Sequence, residues 1–202
     1  RKAVHESLCE LADSSDFGPA GTDDVAGAIK RWTQWWTIKN SNKGLKKRIA
    51  DGLSSTDGDE LWVAAALART TGFDDPDILI AAMKTAGSPI WQELHAALRR
   101  CCPQVEDFGP ASPAASPQEV AEAADRWSAW RSAEKEKERR LLFEKRCKRA
   151  KELLRLAGYF EERNPAIYER RCQEIVRDFG DTPAGEEAKR LLESLGAGTA
   201  GD

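Results

Sequence analysis

Asp16-Phe17-Gly18-Pro19, followed by Val25-Ala26-Gly27-Ala28-Ile29-Lys30-Arg31-Trp32, returns later in the chain as Asp107-Phe108-Gly109-Pro110 followed by Val120-Ala121-Glu122-Ala123-Ala124-Asp125-Arg126-Trp127. The first block is identical at all four positions and the second at five of eight, and both copies add a further tryptophan three residues on, Trp35 and Trp130. Upstream, His5 and Leu8 match His95 and Leu98. Phe17 to Trp32 spans 15 residues and Phe108 to Trp127 spans 19, so a loop insertion near Pro113 absorbs the difference. A helix-loop-helix unit has therefore been duplicated, with more helices between the copies. One helix pair cannot bury its apolar face alone, so repetition of this kind predicts a helical-repeat solenoid. In each loop the glycine admits backbone angles closed to other residues, and the proline stops the preceding helix.

Composition agrees with helices. Of 202 residues 82 are apolar or aromatic, and Ala (30) with Leu (17) outnumber Val (6) and Ile (8) more than threefold. Ala and Leu lose little on entering a helix, whereas β-branched residues favour strands. The longest apolar run, residues 61–68, is far short of the roughly 20 residues that cross a membrane, and reads as a helix covered on all sides. Helix starts are marked five times by a capping residue before proline: Asp75-Pro76, Ser88-Pro89, Ser116-Pro117, Asn164-Pro165 and Thr182-Pro183. Ser116 with Glu119 makes a capping box. The spacing predicts helices over 2–12, 22–39, 42–53, 58–71, 75–86 and 88–102, then one long helix over 116–159. Within the last, residues 132–140 hold only Ala133 as an apolar residue and read as a solvated connector, after which Phe143, Cys147, Ala150, Leu154 and Ala157 restore a packed stripe.

The duplicated part, residues 1–130, resembles bacterial HEAT-repeat proteins, whose arrays often finish in a D-F-G loop and a Trp-rich helix of the W-x-x-W type. That resemblance implies paired antiparallel helices stacked into an arc that binds other macromolecules. Tyr168, Cys172 and Ile175, then Val176-Arg177-Asp178-Phe179-Gly180-Asp181-Thr182-Pro183-Ala184, then Glu186-Glu187-Ala188-Lys189-Arg190-Leu191-Leu192, resemble the last hairpin of a bacterial tetratricopeptide array, with Phe-Gly where that family usually has Tyr-Pro. The expected organisation is an all-α, HEAT-like solenoid over 1–130, a charged helical connector over 131–140, a tetratricopeptide-like hairpin over 141–195, and a flexible tail over 196–202.

No arrangement for nucleophilic catalysis and no phosphate-cradling glycine motif occurs, so no catalytic residue and no cofactor is assigned. The two histidines occupy equivalent places in the two copies, as structural residues do, and His95 with Cys101-Cys102 is the nearest approach to a metal-ligand spacing, read as core. Five cysteines without C-x-x-C spacing lean to a reducing, cytoplasmic compartment, and a start on Arg1 inside helical periodicity reads as a fragment, or a processed or trimmed chain. Charge is the better clue. Residues 25–50 carry seven basic side chains and no acid, while the whole chain stands at −3. The residues expected to meet a partner are Lys30, Arg31, Trp36, Lys39, Lys43, Lys46, Lys47 and Arg48. The expected function is a non-enzymatic scaffold that binds another protein or a larger assembly. Nucleic-acid binding through the basic, Trp-rich stretch is the alternative, since cations meet phosphates and aromatics stack on bases. A HEAT-fold DNA glycosylase is a remote third reading, and no motif of that family is present.

Overall fold

The computed structural model describes residues 2–12, 15–18, 24–41, 44–110 and 112–198. Among these the chain is all-α, with helices α1 (Lys2–Leu11), α2 (Val25–Lys39), α3 (Leu45–Leu53), α4 (Gly58–Thr71), α5 (Pro76–Met83), α6 (Ile90–Cys101), α7 (Pro117–Gly158), α8 (Pro165–Phe179) and α9 (Pro183–Gly198). It divides into two compact units, Arg1–Ser132 and Ala133–Asp202.

Four of the five expected proline starts are capped by the side chain before the proline. Asp75 accepts from the N–H groups of Asp77 and Ile78, Asn164 from Ile167, and Thr182 from Gly185. Ser116 and Glu119 form the capping box, Glu119 N–H donating to Ser116 Oγ at 3.3 Å and Ser116 N–H to the Glu119 carboxylate at 2.7 Å. Ser88 caps nothing. The turn before α6 satisfies its own first donors, Trp91 N–H on the Gly87 carbonyl and Gln92 N–H on that of Pro89, so α6 starts at Ile90. Helix α2 starts at Val25 under an Asp24 cap; Thr22, the expected start, lies outside the described residues, as do Pro19 and residues 199–202.

In the first unit the apolar run is the hub. Leu61, Val63 and Ala64 through Ala68 are all buried, and α4 packs against α2, α3 and α6. Its alanines let neighbours come close: a Cβ on Gly52 of α3 would stand 2.8 Å from the Ala64 Cβ. In the second unit Ala157, Tyr168, Cys172, Ile175 and Ala188 form a small core, and Ala150 is buried as well. Phe143, expected to open the packed stripe of α7, is instead exposed together with Leu141 and Leu142. The α8–α9 crossing is tight enough that a Cβ on Gly185 would overlap the Phe179 carbonyl oxygen.

The duplicated loops are built alike. Asp16 accepts from Gly18 N–H at 2.8 Å and Asp107 from Gly109 N–H at 2.9 Å, and both glycines have positive φ, 101° and 79°. His5 Nε2 lies 2.9 Å from Asp16 Oδ1, and His95 Nε2 lies 2.7 Å from Asp107 Oδ1. The loop phenylalanine meets the first tryptophan edge to face, at 4.9 Å and 86° for Phe17–Trp32 and 5.1 Å and 88° for Phe108–Trp127. The second tryptophan follows in the same way, at 5.9 Å for Trp32–Trp35 and 5.7 Å for Trp127–Trp130. Finally, Arg31 and Arg126 donate Nε–H to the carbonyls of Phe17 and Phe108, at 2.8 and 3.0 Å.

Two substitutions test this packing by thermal and denaturant unfolding. Leu67→Asp places an unpaired charge in the α4 core and is expected to cost several kcal/mol, enough to unfold the first unit. Gly185→Ala is expected to melt the second unit at lower temperature even though alanine gains about 1 kcal/mol of helix propensity over glycine. Overlap with a backbone oxygen leaves no flexible atom to yield.

Candidate interaction surface

The expected partner-binding residues separate once folded. Arg31, only 4% exposed, is the centre of an ion network: its guanidinium donates to Asp59 Oδ1 at 2.6 Å and to Asp24 Oδ2 at 2.8 Å, and lies 4.9 Å from the Trp62 ring centroid. Lys30 is bound by Asp57 at 2.7 Å and Asp59 at 3.4 Å, and Lys46 by Asp74 at 2.8 Å. Lys39 donates to the Leu11 carbonyl and stands 4.5 Å from the Trp35 ring centroid. Lys47 and Arg48 are exposed, with no ion pair among the described residues. Lys43 lies outside the described residues. Three of the six described cations of the stretch, Lys30, Arg31 and Lys46, are thus paired in space, by Asp24 at the start of α2 and by carboxylates brought from the N-terminus of α4 and from the α4–α5 turn.

The carboxylates record this pairing. The hydrogen bond from Arg31 holds Asp24 below its ordinary pKa, that from Lys30 does the same for Asp57, and that from Lys46 for Asp74. Desolvation opposes the charge of Arg31, but Asp59 and Asp24 more than offset it and raise its pKa. These pairs hold their partners' charged forms. Groups whose folded pKa is depressed contribute stability above the unfolded value and lose it as pH falls through the folded one.

The outer face of α2 carries an exposed apolar stripe. Val25, Ile29 and Trp36 are 55%, 62% and 58% exposed. Composition gives no hint of this, because a Val/Ile/Trp spacing of four and seven residues reads as a buried helix face. The second copy shows the same face covered. Val120 and Ala124, the counterparts of Val25 and Ile29, are 3% and 0% exposed. Arg131, the counterpart of Trp36, is tied to Asp77 of α5 at 3.3 Å, and Asp125 is tied to Lys84 at the end of α5 at 3.1 Å. Since residue 77 meets 131 and 84 meets 125, α5 runs antiparallel to the first turns of α7. Beside the bare α2 stripe, Thr37, Ile38, Arg48, Asp51 and Glu60 line a groove of about 460 Å³.

Arg31→Met is expected to cost about 2–3 kcal/mol, somewhat less than breaking a fully buried ion pair because its acidic partners are partly exposed. Arg126→Met, at the exposed counterpart, is expected to cost about 1 kcal/mol or less. Acid titration should destabilise the parent as pH falls through and below the ordinary carboxylate range, and the Arg31→Met chain should lose less over that window. Equal acid sensitivity of the two chains would count against the network. Comparison with known protein families, with curated proteins and with solved structures finds no match.

Proposed function

We propose that the chain is a non-enzymatic helical-repeat scaffold, HEAT-like in its first unit and tetratricopeptide-like in its C-terminal hairpin, that holds an acidic amphipathic helix of a partner protein along α2. The observation that carries this reading is the contrast between the two copies of one helix face, bare at Val25, Ile29 and Trp36 and buried at Val120 and Ala124, with Asp125 and Arg131 beside them tied to α5. Helix α5 serves as the internal template for the occupant: antiparallel, apolar along one side, and with an acid, Asp77, opposite the position that Trp36 fills on α2. Acidity on the occupant is taken from that Asp77, because the groove at this end of α2 sets Arg48 of α3 beside Asp51 and Glu60 and adds no net positive charge. A bare stripe of large apolar side chains is a common mark of a protein interface.

The nucleic-acid reading is weakened by the pairing of Lys30, Arg31 and Lys46, since cations already held by carboxylates release fewer counterions on meeting phosphates. The experiment places a photocrosslinking residue at position 29, and at exposed Glu122 as the control, then identifies what is captured in the source cell. The expected result is a protein captured at 29 and not at 122. Its recombinant form should bind the parent at least tenfold more tightly than the Ile29→Glu chain, with Lys47→Ala of little effect. Labelled random single strands and duplexes serve as the second arm, at about 50 and 200 mM salt. Submicromolar binding of either at the higher salt, lost when Lys43, Lys46, Lys47 and Arg48 become Ala, would replace the protein partner with nucleic acid.

A further inference from the structure

We propose that His5, Cys9 and Asp16 form a site for a divalent metal ion of zinc-like preference, clamping α1 to the first D-F-G loop. The three donor atoms lie within 4.8 Å of one another. His5 Nε2 is 2.9 Å from Asp16 Oδ1 and 3.8 Å from Cys9 Sγ. Tetrahedral zinc with bonds of about 2.0–2.1 Å to nitrogen and oxygen and 2.3 Å to sulfur sets N···O and N···S separations of roughly 3.4 and 3.6 Å. The two pairs that involve His5 therefore need to move by only about half an ångström or less. His5 and Cys9 are one helical turn apart on α1, and Gly18 N–H already orients the Asp16 carboxylate from behind, as outer hydrogen bonds do for metal ligands. His, Cys and Asp supply the nitrogen, sulfur and oxygen donors that zinc accepts, with a fourth position for water.

The second copy supplies the independent argument. It repeats the His95–Asp107 pair and the Gly109 bond, but Arg99 stands where the first copy has Cys9. Arg99 Nε lies 3.7 Å from Asp107 Oδ2 and its guanidinium also donates to the Val105 carbonyl, so a built-in cation closes that loop onto its helix. In the first copy a thiol replaces that cation, and a bound metal ion would restore the positive charge at the same corner. On binding, the Cys9 thiol proton leaves to solvent and sulfur ligates as the thiolate.

The test uses the full chain with cobalt(II), whose thiolate charge-transfer band reports sulfur ligation, and zinc competing against a chromogenic chelator. The expected result is one equivalent bound and a band that survives Cys101→Ser and Cys102→Ser. In Cys9→Arg, which copies the second module, the band should vanish and zinc affinity fall by about 100-fold or more, while the metal-free thermal midpoint is retained. Arg99→Cys should add a second equivalent. The proposal is overturned if the parent takes up no ion at about 10 µM, if the Cys9→Arg chain keeps the band, or if a folded Arg99→Cys chain gains no second equivalent.

Discussion

A single arginine-to-carbonyl hydrogen bond, made twice, organises the first unit. In each copy the loop phenylalanine turns its carbonyl toward the following helix, and the arginine just before the first tryptophan takes it, Arg31 for Phe17 and Arg126 for Phe108. The bond needs the loop to reverse, which the positive-φ glycine allows, and needs the reversal to be held, which the aspartate does by accepting the glycine N–H. Once the carbonyl is fixed, the phenylalanine ring is aimed at the tryptophan edge, and the two tryptophans at i and i+3 become a wedge between successive helices. The histidine on the preceding helix grips the same aspartate, so three segments are joined through one loop.

Why the two copies then diverge follows from where each sits. Arg31 lies over Trp62 against α4, and its remaining N–H groups must be satisfied in a nearly dry place, so Asp24 and Asp59 are drawn in. Arg126 is exposed and spends both of its bonds on one carbonyl. The stripe that is buried in the second copy uses the small Ala124, whereas the bare stripe in the first carries Ile29 and Trp36, side chains that gain more from being covered.

Much of this was legible in the chain. The duplication, the proline-marked caps at Asp75, Ser116, Asn164 and Thr182, and the burial of residues 61–68 other than Trp62 all depend on neighbours within a few positions, which is the range over which sequence patterns speak. Ser88 misled because a backbone turn competed successfully for the donors that its hydroxyl was expected to take. Phe143 misled because helical spacing says which face a residue is on and not whether anything covers that face. The basic stretch meets the same limit on a larger scale: the carboxylates that pair with Lys30, Arg31 and Lys46 include Asp57, Asp59 and Asp74, some 27 or 28 residues away, and only α4 and the turn after it bring them into reach. The triad of His5, Cys9 and Asp16 was hidden similarly, since its third member belongs to a loop and its spacing matches no short ligand motif.

A duplicated chain carries its own control, and that is what gives these differences meaning without any outside relative. Where the copies keep the same contact, as with the histidine–aspartate and phenylalanine–tryptophan pairs, the contact is explained by holding the module together, because each copy needs it. Where they differ at a matched position, the common structural need is removed from consideration and the difference points to the surroundings: Ile29 against Ala124, Trp36 against Arg131, Cys9 against Arg99. In two of these three the second copy uses an arginine to close a contact within its own unit, with Asp77 in one case and with Asp107 and the Val105 carbonyl in the other. At both of those positions the first copy has given up a guanidinium, which binds carboxylates and carbonyls well, for an indole or a thiol, groups suited to an apolar partner or a metal ion. The proposed partner helix and the proposed metal ion would both use positions where the first module lacks the arginine that the second has.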